Sequence, residues 1–144
     1  MNGKTDTPPW IRAILTWPLL LLVSRIALVS AFLIGGIQKL IDFPGAVAEQ
    51  AHFGLQPAWL WAAAAVVVEL VGSALVIAGR WVWLGAGGLG VLTAVAMLAA
   101  NDFWAKTGHD RFLATNAFFE HLGLVAGLVL VSVLSVRDLD ARLQ

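Results

Sequence analysis

The sequence predicts an all-α, polytopic membrane protein: an antiparallel bundle of four transmembrane helices with both termini in the cytoplasm. Two features of composition and one of patterning carry that expectation. Of the 144 residues, 60% are hydrophobic and only 12% are charged, against about 25% charged in an ordinary soluble domain. Mean hydropathy is +0.85. The apolar residues fall into four long runs rather than a two-residue alternation, which excludes a sheet. Nine basic residues balance nine acidic ones, so no electrostatic footprint for nucleic acid exists, and the absence of cysteine removes disulfide, thiolate-metal and thiol redox chemistry.

A hydrocarbon core of roughly 30 Å takes about 20 apolar residues in a helix. The runs at about 17–41, 59–79, 81–101 and 114–136 meet that length and define one four-helix domain over residues 1–144. Arg25 interrupts the first run and so argues against a cleaved signal peptide. Trp17, Trp59, Trp61, Trp81, Trp83 and Trp104 stand at or near run ends, where an amphipathic ring prefers the headgroup region. Between the second and third runs lies little more than Gly79-Arg80, which requires a tight antiparallel hairpin. Between the first and second, residues 46–53 are expected to form a short interfacial helix bounded by Pro44 and Gly54.

Lysine and arginine near the run ends set the orientation. Lys4, Arg12, Arg80, Arg137 and Arg142 fall on one side, and Lys39, Lys106 and Arg111 on the other, a bias that puts both termini in the cytoplasm. Glycines at 35, 36, 72, 85, 87, 88 and 90, and the Gly123/Gly127 pair, permit close helix packing or dimerisation.

Charges within the runs are the candidates for function, because ionisable groups at depth are costly and face the bundle interior. Arg25 lies roughly 12 Å into the first span and Glu69 roughly 15 Å from the same edge in the second, at 1.5 Å per residue. They are expected to form an intramembrane ion pair that fixes helix register, or that also binds a polar headgroup or relays protons. Lys39, Gln38, Asn101, Asn116, Glu120 and His121 are ligand-binding candidates at the opposite end of the bundle. Helical spacing places Asn116, Glu120, Gly123 and Gly127 on one face, so Glu120 is expected to point at a neighbouring helix. No HxxH or HxxxH spacing argues for a metal, and no Walker A, dinucleotide or GxSxG motif argues for a self-contained enzyme.

Several short motifs together resemble the DoxX family of small four-helix bacterial membrane proteins. They are an arginine early in the first span and Gly35-Gly36-Ile37-Gln38-Lys39-Leu40 at its end, then Phe53-Gly54-Leu55 and Glu69-Leu70-Val71-Gly72 with Gly79. Asn101-Asp102-Phe103-Trp104 and Phe118-Phe119-Glu120-His121-Leu122-Gly123 match the later segments, although histidine is common in the family at Asn101 and lysine-asparagine at Glu120-His121. The resemblance implies a multi-pass protein of the bacterial inner membrane associated with an oxidoreductase system. Without an intrinsic cofactor, such a chain would act by binding a quinone-like or lipid-like molecule or by anchoring a partner oxidoreductase subunit. A structural or assembly protein, a homodimer, and a transporter of a small solute or lipid are the other readings.

Overall fold

The structure, a computed structural model, describes residues 7–143, with side chains described through Asp138. It is helical, with no strand among the described residues. Six α-helices follow one another: α1 (Pro9–Leu15), α2 (Pro18–Ile41), α3 (Phe43–His52), α4 (Ala58–Ala78), α5 (Val82–Ala100) and α6 (Gly108–Leu143), with a 3₁₀ turn at Phe103–Ala105 before α6. The helices α2, α4, α5 and α6 are each long and apolar enough to cross a bilayer.

Local sequence explains where the helices begin and end. Pro9 and Pro18 stand in the first turns of α1 and α2, where the missing N–H is no loss. Asp42 accepts a hydrogen bond from the Gly45 N–H at 3.0 Å and so caps α3. That cap starts α3 three residues earlier than the interfacial helix expected at 46–53. Gly79 ends α4 in the left-handed conformation (φ 69°), and Trp81 follows with φ 50°. Two left-handed residues in so short a link fold α5 directly back on α4. The amphipathic turn α1, with Trp10, Ile14 and Leu15 exposed, lies outside the four spans and was not anticipated.

The helices pack in chain order: α4 lies between α2 and α5, and α5 between α4 and α6. At the hairpin end, Gly72 and Gly85 let α4 and α5 nearly touch; a Cβ on Gly85 would lie 2.6 Å from the Gly72 carbonyl oxygen. Around that contact Val29, Phe32, Val76, Val82, Ala86, Leu89, Leu128 and Val131 form the buried core, drawn from all four spans. Leu28 of α2 closes the bundle against Gly127 of α6. Most of the remaining large apolar side chains are exposed on the outer surface, as lipid contact requires.

Register between α2 and α4 places the charges that these two spans carry. A Cβ on Gly36 would lie 3.1 Å from the Glu69 Cβ, and one on Gly79 would lie 2.5 Å from Arg25 Nη1. Gly36 is therefore level with Glu69, and Arg25 with Gly79. Arg25 and Glu69 are then separated by about 16 Å along the axis, at 1.5 Å per residue.

A candidate ligand site at the α3 end of the bundle

Arg25 and Glu69 are not brought together. Glu69 is paired instead with Lys39, whose Nζ donates to Oε1 at 3.0 Å and to Oε2 at 3.2 Å. The expectation of an Arg25–Glu69 pair rested on taking Trp17 and Gly79 as level. In fact α2 starts about two turns beyond Gly79, at 1.5 Å per residue, which drops Arg25 to the hairpin end. Side-chain direction acts the same way. A helical side chain leans toward its own N-terminus, so in an antiparallel pair Arg25 and Glu69 lean apart while Lys39 and Glu69 lean together.

The glycines beside this pair have a direct role. Gly35 faces the two charged groups, and its Cβ would lie 3.4 Å from Lys39 Nζ and 3.5 Å from Glu69 Oε2. Gly36 lets the stem of Glu69 approach the α2 backbone. Gly35 thus lies at ordinary contact distance from the forked pair, and the tight approach is that of Gly36 to Leu70 and the Glu69 stem. The Lys39 and Glu69 side chains retain 21% and 9% of their exposure, so the pair is largely out of solvent yet open on one side.

What it opens on is a cavity of about 290 Å³ between α2, α3, α4, α5 and α6. Its polar lining is Lys39, Glu49, Gln50, Glu69, Asn101 and His121, and its apolar wall includes Phe53, Leu55, Trp61, Leu92, Val95 and Ala96. Four residues singled out in the sequence thus converge: Lys39, Glu69, Asn101 and His121. His121 Nδ1 lies 2.6 Å from the Ala117 carbonyl oxygen. Because a carbonyl only accepts, Nδ1 is the donor in that contact, which leaves Nε2 as the ring nitrogen free to meet a ligand.

The other candidates lie elsewhere. Gln38 lines a separate groove with Gly35, Lys39, Asp42, Ala46 and Glu49. Asn116 and Glu120 are exposed, which corrects the expectation that Glu120 faces a neighbouring helix. The packed stripe of α6 runs through Ala114, Leu128 and Val131, with His121 and Leu124 between them on the same side. Glu120 is a step of about 100° away. In a membrane span both faces are apolar, so hydrophobicity does not mark the inward one, and the shared face of Asn116, Glu120 and Gly123 was the wrong one to choose. Gly123 has no atom near its would-be Cβ, while Gly127 meets Leu28.

Glu49, Gln50, Phe53 and Trp61 enter the cavity without having been foreseen as site residues. The signal for them was the helix start at Asp42-Phe43-Pro44-Gly45, which sets α3 over the bundle mouth and turns Glu49 and Gln50 toward it. A wider groove lined by Asn101, Lys106, Asp110 and Ala114 lies beside the α5–α6 link. Its charged lysine is held by Asp102 at 3.1 Å and by the Ala100 carbonyl.

A four-span membrane bundle with a charged pair inside its mouth is the class of protein that fold and site define. The DoxX family model matches residues 20–102, more than half of the chain, and the chain belongs to that family. It is similar to the inner membrane protein YphA of Escherichia coli, with 28% identity over 116 residues covering 81% of this chain and 83% of that protein. No solved structure matches it. It is a multi-pass protein of the inner membrane. The matched segment runs from the first turn of α2 through α5, hence Arg25, Lys39, Glu69 and Asn101; His121 lies beyond it.

Proposed function

We propose that the chain binds a quinone-like or lipid-like molecule in the α3-end cavity, as an accessory subunit of a membrane oxidoreductase system. One observation carries this reading: a forked, part-buried Lys39–Glu69 pair opens on a mostly apolar cavity of about 290 Å³. Small-molecule sites are commonly apolar pockets of ~300–1,000 Å³ with a few placed polar groups. A single ring with short substituents fits that volume, with its tail leaving toward lipid. Lys39 Nζ and the Asn101 amide supply donors for ring oxygens. His121, whose Nδ1 is taken by the Ala117 carbonyl, adds Nε2 as a further polar contact for a ring oxygen or hydroxyl.

The test uses the intact protein in mild detergent. Extracted lipids are analysed by mass spectrometry, and a short-chain quinol analogue is titrated while tryptophan fluorescence is followed. Quinone should co-purify above the level in an unrelated membrane protein. Quenching should shrink in Trp61→Phe, since Trp61 lines the cavity, and binding should fall at least tenfold in Lys39→Met. No enrichment, together with unsaturable quenching, would reject the reading.

We also place the hairpin end in the cytoplasm. Arg12, Arg25, Arg80 and Arg137 lie there, against Lys39, Lys106 and Arg111 at the α3 end. The cysteine-free chain allows a clean check: in intact cells a membrane-impermeant maleimide should label Thr107→Cys and spare Arg80→Cys.

A further inference from the structure

The two ends of the bundle differ sharply in charge. Among the residues whose side chains are described, the hairpin end holds Arg12, Arg25, Arg80 and Arg137 with the carboxylate of Asp138, and Asp140 and Arg142 follow in α6. The opposite end holds Lys39, Lys106 and Arg111 amid Asp42, Glu49, Glu69, Asp102, Asp110 and Glu120. Both salt bridges among the described residues are at the acidic end. Arg25 is a half-buried cation that has no carboxylate partner among the residues whose side chains are described, and its shielded Nε–H donates to none of them.

The seat of that guanidinium is shaped for it. A side chain at position 79 would place its Cβ 2.5 Å from Arg25 Nη1, so the guanidinium rests in the space that Gly79 leaves open, while the φ of 69° is what calls for glycine there. The guanidinium consequently lies over the backbone that ends α4, and Arg80 follows directly as an exposed second cation. Trp81 and Trp83, 69% and 64% exposed, flank the same turn, and exposed indole rings at a helix end mark the headgroup level.

We infer that Arg25 and Arg80 form a binding site at the α4–α5 turn for the phosphate of an anionic phospholipid in the hairpin-end leaflet. The guanidinium fork matches phosphate oxygens in pairs. Snorkelling from a depth level with Gly79 brings Arg25 to the plane where those oxygens lie. Trp81 and Trp83 contact the glycerol and upper acyl carbons. The site is separate from the α3-end cavity, and a failure of either leaves the other standing.

Native mass spectrometry of the full chain in detergent, with added phosphatidylglycerol or phosphatidylcholine of matched chains, tests it. The unsubstituted chain should retain phosphatidylglycerol preferentially. Arg25→Gln and Arg80→Gln should each weaken that retention about fivefold, the effect expected of one basic residue at an anionic surface. Arg12→Gln and Arg137→Gln, which remove equal charge at the same end, should change it less than twofold. Absence of a preference, or equal losses in all four arginine variants, would overturn the site in favour of a diffuse basic surface. Arg80 is exposed, so its variant keeps the test decisive even where Arg25→Gln folds poorly.

Discussion

The hairpin end and the α3 end of the same four helices are built on opposite principles. At the hairpin end, α4 and α5 approach to backbone contact through Gly72 and Gly85, and Leu89, Val76, Val29 and Leu128 are buried to 1% or less. At the α3 end the helices stand apart, α3 lies over the gap, and the space holds a forked ion pair rather than side-chain packing. Helices in lipid gain little from burying apolar surface and associate mainly through close packing and polar contacts. A bundle tight at both ends would leave nowhere for a ligand. One open at both would lack the contacts that hold it together. The difference teaches that stability and chemistry are separated along the helix axis.

The largest effect should come from breaking the tight end. Gly85→Val places a branched side chain against the Gly72 carbonyl, where backbone cannot yield cheaply. Overpacking typically costs 1–3 kcal/mol, and a clash with backbone falls at about 3 kcal/mol or more. The expected outcome is a large loss of thermal stability in detergent. Ligand retention should fall with it, because the bundle separates as a whole.

Removing one member of the ion pair should cost less and should depend on which member goes. Lys39→Met leaves Glu69, 7% exposed, without its counter-charge; stranding a buried charge costs roughly 3 kcal/mol. Glu69→Gln leaves Lys39, which lies two residues before the end of α2 and can extend toward the headgroups. It should cost about 1 kcal/mol. Thermal unfolding of the two variants side by side checks the asymmetry. Equal losses would mean that the two groups are equally buried.

Smaller still is the contrast between two leucines one turn apart on α5. Leu89 is fully buried in the core, whereas Leu92 lines the cavity. Because lipid is as apolar as the interior, only lost packing counts in either case. Leu89→Ala should cost about 2 kcal/mol, and Leu92→Ala under ~1 kcal/mol, since a cavity wall is missing neighbours already. Leu92→Ala should instead change ligand affinity.

Much of the fold was legible in the sequence. The four apolar runs mark α2, α4, α5 and α6, because a bilayer imposes a minimum length that few soluble helices need. Gly79-Arg80 announced the hairpin, and Pro44 and Gly54 announced α3. The site was legible by residue type more than by pairing. Lys39, Glu69, Asn101 and His121 stood out as polar groups in apolar runs, and they do converge on one cavity. Their partners depended on helix register, which no run boundary reports: α2 overshoots the hairpin, and that overshoot exchanged Arg25 for Lys39 at Glu69. Facing was the other hidden variable. Glu120 and His121 are adjacent in sequence, yet a single 100° step decides which lines the cavity, and hydropathy does not distinguish the two sides of a lipid-facing helix.

The finest test is of register itself, by two double-mutant cycles that share Glu69→Gln. Residues in one hydrogen-bonded pair couple by 0.5–3 kcal/mol, whereas residues beyond 7–10 Å without shared partners add within about 0.5 kcal/mol. Lys39→Met with Glu69→Gln should therefore show a coupling of about 1–2 kcal/mol, the double variant being more stable than the sum of the single losses predicts. Arg25→Gln with Glu69→Gln should be additive, since Arg25 sits at the Gly79 turn, about 16 Å along the axis from Glu69. Thermal or denaturant unfolding in one detergent suffices for both cycles. Coupling in the second and none in the first would shift α2 against α4 by three turns and restore an Arg25–Glu69 pair. The cavity would then lose the charged pair on which the ligand reading depends, and the hairpin end would lose the free guanidinium that marks its phosphate site.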